Sequence, residues 1–418
     1  MNLLLVAYFY PPCRDTGAHR PAAMAKWLRR LGHRVTVLTT SAYGGRQVED
    51  EVVRTADLQR LRARLHGHER IDALFDSDTY SGRPHPLSKL LVPEPLVASW
   101  APFARSRALR LHSRERFDCV ITSSPPESAH LVGRALARRG VGWVVDLRDA
   151  WTFEPLRPPF PTALQRSLDR GLERRWLGSA DVVACVSRPA AEDLRLRLGI
   201  EPRMIPNGWD PELAAVDDDA GAGVDILDPQ RISLVYTGRF GSYGRDPTPL
   251  VTALAELARR DPGTAARLEL VVAGPLTQAE AELMRTDVAP ARIVVAGSLA
   301  RERALALQRA ADALLLIAQP RRSQLLNVKL FEYLAAGRPI LALAAGTEAG
   351  RIAARAGAAV VAADDRGAIL EALRRLAVEG LRPPDPGASG EFAYPAPAAR
   401  MAEAARTAIE AARARRKR

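Results

Sequence analysis

The stretch from Ser323 to Pro339, Ser-Gln-Leu-Leu-Asn-Val-Lys-Leu-Phe-Glu-Tyr-Leu-Ala-Ala-Gly-Arg-Pro, brings together groups that could hold an anion beside a pair of hydroxyls. Asn327 has the short polar side chain of a helix N-cap, Gly337 suits the position just past a helix end, and Pro339 blocks extension. A helix starting there would aim the free backbone N–H groups of Asn327 and Val328 at an anion, and Lys329 in its first turn would add positive charge. Glu332, just over one turn further in, could accept hydrogen bonds from a hydroxyl pair. Phosphate and hydroxyls together describe a nucleotide sugar.

Such a helix needs strands to place it. Ala313–Ile317 before it and Ile340–Leu343 after it are short apolar runs, as expected of parallel strands buried on both faces. The same alternation runs through the chain. Strands are expected at 2–9, 34–39, 118–122, 142–147 and 180–186, then at 232–237, 268–273, 292–296 and 358–361. A helix is expected from Pro21 to Leu31, and a final alanine-rich helix from Ala398 to Arg416. Residues 211–230, with Asp217 to Asp219, Gly221 and Gly223, read as a linker, and 382–390 as a second hinge. The fold class is therefore α/β with two Rossmann-like halves.

These features resemble the retaining GT-B glycosyltransferases of the family-4 (group 1) type. The family carries two glutamates separated by seven residues, then a short apolar run and Gly-x-Pro; here Glu332 and Tyr-Leu-Ala-Ala-Gly-Arg-Pro fill the second part. The first glutamate position holds Gln324, which can hydrogen-bond to a donor sugar but brings no charge to a developing oxocarbenium ion. The resemblance implies a GT-B architecture: two facing Rossmann-like domains with a C-terminal helix crossing back to the first. It puts an acceptor domain at 1–210 joined by the returning helix at 398–418, and a nucleotide-sugar domain at 211–397.

Residue roles follow from the same resemblance. Gly17 matches a glycine-bearing loop whose backbone approaches the donor phosphate, with His19 and Arg20 reaching toward the acceptor. Gly238-Arg239 matches the start of the second-domain phosphate loop; the family's lysine falls near Gly244, and Arg245, one place later, could clamp the diphosphate instead. Ser124 and Arg148 would shape the acceptor pocket, and Asp149 would orient the acceptor hydroxyl or take its proton, or else cap a following helix. The implied reaction moves a sugar from a nucleoside diphosphate to an acceptor hydroxyl with retention. It uses no metal and no cofactor beyond the donor. A nucleotide-sugar epimerase of the same fold and a non-catalytic sugar-nucleotide-binding protein are the alternatives.

Composition sets limits on partners. With 47% hydrophobic and 26% charged residues, the 418-residue chain is that of an ordinary globular protein with material for two or three domains. No apolar run approaches the ~18 residues of a membrane span, and the first residues read as a strand, so a cytoplasmic location is expected. Four of the 60 basic residues are lysine and 56 arginine, a skew that weakens any reading of the +12 net charge as nucleic-acid binding. Cys13, Cys119 and Cys185 are too widely spaced for a metal cluster, and His66, His68 and the Asp76-Ser-Asp78 triplet are assigned no metal. The arginine-rich stretch from Leu87 to Arg116 reads either as a helix packed on the first domain or as a basic amphipathic element at a membrane or acceptor surface. Lipid carrier, glycan end and small natural product all remain open as acceptor.

Overall fold

The computed structural model describes residues 1–13, 15–44, 51–65, 90–153, 157, 159–212, 224–241, 245–319, 326 and 328–417, with backbone alone at 61–63. Gln324, Asn327, Gly244, His66, His68 and the Asp76–Asp78 triplet lie outside these residues. The chain divides into two compact units, one formed by Met1–Asn207 with Tyr394–Arg418 and the other by Gly208–Ala393.

Unit 1 is built on seven parallel strands: β1 (Asn2–Ala7), β2 (Arg34–Thr40), β3 (Val52–Thr55), β4 (Cys119–Ser124), β5 (Gly142–Leu147), β6 (Val182–Cys185) and β7 (Arg203–Met204). Their order is β3-β2-β1-β4-β5-β6-β7. Alternate residues of the apolar strands feed two cores. Leu4, Val6, Val120 and Val145 meet α2 (Ala101–Glu115), α3 (His130–Ala137) and α4 (Ala163–Leu177) on one face. Leu3, Leu5, Ile121 and Val144 meet α1 (His19–Arg30) and the terminal helix Ala396–Lys417 on the other. The stretch after Leu87 thus supplies a helix packed through Ala101, Ala104, Ala108 and Leu111.

The returning helix lies against the sheet at Gly142, where a Cβ would stand 2.8 Å from the backbone of Ala408 and Ile409. Only glycine lets the two backbones come so close. The three cysteines are buried and form no disulfide, and burial pushes the Cys185 thiol up to about 12.

Unit 2 repeats the plan with β8 (Ile232–Thr237), β9 (Leu268–Ala273), β10 (Arg292–Gly297), β11 (Ala313–Ile317), β12 (Ile340–Leu343) and β13 (Ala359–Val361), ordered β10-β9-β8-β11-β12-β13. Helices α5 (Arg301–Ala310) and α6 (Val328–Ala336) flank β11 in sequence, and Ala396–Lys417 of unit 1 is α7. Gly337 closes α6 with φ +67°, the left-handed conformation glycine adopts without cost. In both units the order reverses beside the first strand, at β1/β4 and at β8/β11. Doubly wound sheets bind ligands at such switch points, outside the carboxyl ends of the strands. No described helix is long and apolar enough to cross a membrane.

Several boundaries differ from the sequence reading. The short β3 pairs with β2 where no strand was expected between 39 and 118. Gly17 lies in a 3-10 turn, Thr16–Ala18, and His19 opens α1 rather than lying in a loop. Ser123 and Ser124 belong to β4 and are buried. The expected hinge at 382–390 contains a short helix, Pro386–Gly390, capped by Asp385. Asp365 caps the helix Arg366–Glu379.

Candidate functional site

In unit 2, β8 ends at Thr237 and the chain turns at Gly238 with φ +132°. Gly274, just past the end of the neighbouring β9, comes so near that a Cβ on it would lie 2.0 Å from the Gly238 carbonyl oxygen. A hydrogen bond of 2.8 Å from Gly238 N to the Ala273 carbonyl fixes the approach. The result is a bare, backbone-lined loop at the switch point.

The first turns of α6 close on this loop. Lys329 passes it, its Cε 3.7 Å from where a Gly238 Cβ would be. Lys329 Nζ lies 2.7 Å from Glu332 Oε2, and Arg301 Nη1, from the first turn of α5, lies 3.4 Å from Oε1. Gln308 Nε2 donates to both Thr237 Oγ1 at 2.8 Å and Glu332 Oε2 at 3.3 Å. Thr237 N donates to Tyr333 Oη at 3.1 Å, so the strand tip is tied to the helix through consecutive residues. Burial opposes charge on Glu332, but Lys329 and Arg301 outweigh it and hold its carboxyl below the usual range. A carboxylate fixed this way stays ionised near neutrality, and Oε1, with Arg301 as its donor here, keeps acceptor capacity for a further hydroxyl.

Arg239 is exposed beside Gly238. Its carbonyl accepts from Tyr236 Oη at 2.8 Å and from Arg245 Nη1 at 2.9 Å. The sequence reading put Arg245 on a diphosphate; in the structure one of its nitrogens instead braces the loop. Of the donor residues named from sequence, Gly238, Arg239, Val328, Lys329 and Glu332 gather at the β8/β11 edge. Arg301 and Gln308 were missed: one arginine among 56 carries no signal, and a glutamine inside a helix announces nothing.

Unit 1 presents a second locus at its own switch point. Arg148, buried at the end of β5, donates to the carbonyls of Gly17 and Pro125, and through Nε to that of Ser124 at 3.1 Å. It therefore staples the loops after β1 and β4. The sequence reading put Arg148 at the acceptor; in the structure its hydrogen bonds run to these loop carbonyls. Arg20, read from sequence as reaching toward the acceptor, has all of its donors engaged within unit 1. Nε and Nη2 take the Asp146 carboxylate at 3.1 and 2.7 Å. The remaining bonds run to the Ile205 and Pro206 carbonyls and to Asn207 Oδ1. Asp146, a carboxylate inside an apolar strand, was the overlooked sign that a buried cation must face it.

Gly17 N donates to Asp15 Oδ1 at 2.6 Å, so that amide already has an anionic acceptor rather than standing open for a phosphate. His19 is half-buried at the start of α1. Asp149 is exposed and caps no helix among the described residues; α4 begins at Ala163 under the capping box of Thr162 and Gln165. Desolvation raises its pKa and Arg148 pulls it partly back.

Beside Ser124, Glu94 Oε1 accepts from Ser128 N at 3.2 Å. Burial, then the neighbouring Glu127, pushes the Glu94 carboxyl up to about 8. An acid whose folded pKa lies above its unfolded value stabilises the fold fully at low pH, and that stability is lost as pH rises toward 8. Glu94→Gln, which mimics the protonated form, is therefore expected to lose less melting temperature than the wild type from pH 5 to pH 9 by circular dichroism (roughly the span set by the two pKa values). The wild type should decline across that window. Parallel curves for the two proteins would show that Glu94 holds no proton.

Residues 16–208 match the family described as Glycosyl transferase 4-like domain, and residues 231–379 match Glycosyl transferases group 1. The chain belongs to the group 1 glycosyltransferases of GT-B fold. Among solved structures it is similar to sucrose-phosphate synthase from Thermosynechococcus elongatus, at 16% identity and a TM-score of 0.60, covering 100% of this chain and 98% of that one. It is also similar to an α,α-trehalose-phosphate synthase (UDP-forming) from Burkholderia xenovorans in complex with glucose-6-phosphate, at 14% identity and 0.59, covering 99% and 98%. A proposed UDP-N-acetylglucosamine 2-epimerase from Listeria monocytogenes shares the fold at 14% identity and 0.50, covering 96% and 94%. No curated protein matches the sequence. For this group 1 glycosyltransferase, the second matched segment spans Gly238, Lys329 and Glu332, and the first spans Gly17, Ser124 and Asp149.

Proposed function

We propose that the protein transfers a sugar from a nucleoside-diphosphate sugar to an acceptor hydroxyl with retention of anomeric configuration, without a metal. The observation that supports this best is the Lys329–Glu332–Arg301 cluster beside the bare Gly238 loop. Unit 2 would bind the donor: Lys329 and Arg239 on the diphosphate, the N-terminal amides of α6 near Asn327 and Val328 on its distal oxygens, and Glu332 on the ribose. Gln324 would meet the sugar. Unit 1 would hold the acceptor near Ser124, His19 and Asp149, in the loops that Arg148 and Arg20 position.

In the reaction, the bond from the anomeric carbon to the leaving phosphate oxygen breaks and the bond to the acceptor oxygen forms on the same face. The acceptor proton passes to the departing phosphate, with Asp149 orienting the hydroxyl. Fixed cations and helix N–H groups stabilise charge on the leaving group without reorganising.

A second reading is a nucleotide-sugar epimerase, favoured by the fold shared with the Listeria protein. Thermal-shift measurements against UDP-, GDP-, TDP- and ADP-sugars test the donor site. At a ligand concentration one hundred times Kd, binding adds about 2.7 kcal/mol of stability, so one series should raise the melting temperature clearly. Incubating the best donor without acceptor separates the readings: a transferase leaves the sugar intact or slowly hydrolysed, whereas an epimerase converts it. No shift with any of the four series would overturn both.

A further inference from the structure

The helices covering one face of the unit 1 sheet turn their acids inward and their arginines outward. On α4, Asp169 and Glu173 are buried: Asp169 accepts from Trp151 Nε1 at 2.9 Å, and Glu173 pairs with Arg197 at 2.5 Å. Arg170, Arg174 and Arg175 of the same helix are exposed. On α2, Arg105, Arg110 and Arg114 are exposed while its one acid, Glu115, is half-buried and accepts from Thr36. Between them on α3, Arg134 is held below its ordinary pKa by burial and then by Arg138 and Arg175. Within α2, α3 and α4 no carboxylate is exposed to offset these charges. The field over this layer is therefore positive.

The same layer exposes large apolar side chains at one end. Leu164 and Leu168, one turn apart at the start of α4, are 79% and 51% exposed. Leu90 and Leu91 are also exposed, and Gln165 Nε2 donates to the Leu90 carbonyl at 3.4 Å, which places both pairs together. Phe103 is exposed in the first turn of α2. A helix that follows a parallel strand starts at the carboxyl edge of the sheet, so these groups share the edge that carries Ser124 and Asp149. Apolar tips at the acceptor edge with arginines further along the helices match the chemistry of a bilayer interface bearing anionic headgroups.

We propose that this edge of unit 1 docks on an anionic phospholipid membrane, with Leu90, Leu91, Leu164 and Leu168 entering the headgroup–acyl boundary and the outward arginines meeting the headgroups. The acceptor would then be an amphiphile presented from that membrane. This rests on the reading of unit 1 as the acceptor unit.

Flotation of the full chain with phosphatidylcholine vesicles, with and without phosphatidylglycerol, tests it. The expected result is binding to the anionic vesicles alone, weakened by salt. The L164S/L168S and R170E/R174E double variants should each lose about tenfold in partitioning, while keeping the wild-type melting temperature and donor-induced shift. Absence of binding, equal binding to neutral vesicles, or variants that bind like wild type would overturn the proposal. So would tight binding to an RNA oligonucleotide that anionic vesicles do not displace. Failure of the donor reading would show separately, as vesicle binding with no stabilisation by any nucleotide sugar.

Discussion

Lys329→Ala is expected to lower kcat/KM for the nucleotide sugar by about a thousandfold, the scale of removing one preorganised charge stabiliser from an active site. The residue acts twice. It carries its ammonium past the Gly238 loop, where a diphosphate would lie, and it lies 2.7 Å from a Glu332 carboxylate that is buried. Stripping one partner from a buried ion pair costs about 3–5 kcal/mol when nothing replaces it; here Arg301, more distant at 3.4 Å, retains part of the compensation. The pH profile gives a second readout. Glu332 sits below the usual carboxylate range in the wild type, so activity that depends on its charge is present above that range and is lost as pH falls through the lowered value. In Lys329→Ala the acid limb should move to higher pH. Lys329→Arg restores a cation and should recover part of both effects. Turnover within twofold of wild type, with an unmoved acid limb, would remove this cluster from the donor site.

Arg20→Ala should destabilise unit 1 by about 3–5 kcal/mol, through the unpaired Asp146 carboxylate it leaves behind. That corresponds to a melting temperature lower by roughly 10 °C. The guanidinium joins the start of α1, the interior of β5 and the segment leaving β7, and no smaller cation has the donors to replace it. Arg20→Lys is therefore expected to recover less than half of the loss. Burial disfavours charge on Asp146, yet Arg20 outweighs it and holds the carboxyl below its ordinary value. Its contribution is therefore complete at neutral pH and disappears on acidification, and the two melting curves should converge toward low pH. A direct acceptor contact would give the opposite pattern: unchanged melting in both variants with a raised acceptor KM.

Strand positions were readable because parallel strands covered on both faces leave continuous apolar runs. Gly142–Leu147, Ile232–Thr237, Leu268–Ala273, Ala313–Ile317 and Ile340–Leu343 lie where those runs place them. The short β3 escaped because Val52-Val-Arg-Thr55 is too brief to show a period, and its pairing with β2 comes from tertiary contact. Side-chain duties were less legible. A sequence shows that Arg20 and Arg148 follow or end strands near glycine and serine, which fits substrate binding and loop stapling equally well. Only the positions of Asp146, Ser124 and Gly17 separate the two. Conversely, Gly238 was noticed for its neighbour Arg239, while glycine stands there for its φ of +132°, and its carbonyl in turn demands a glycine 36 residues away at Gly274.

Unit 1 is assembled from both ends of the chain. Its sheet face around Leu3, Ile121 and Val144 is covered partly by Ala398, Met401 and Ala405. During synthesis that part of the apolar face stays uncovered until residues beyond 400 have emerged, after the whole of the contiguous unit 2 has been made. Premature termination anywhere in the last helix would thus spare the later-made half and strand the first-made one, a vulnerability that nascent-chain proteolysis would reveal.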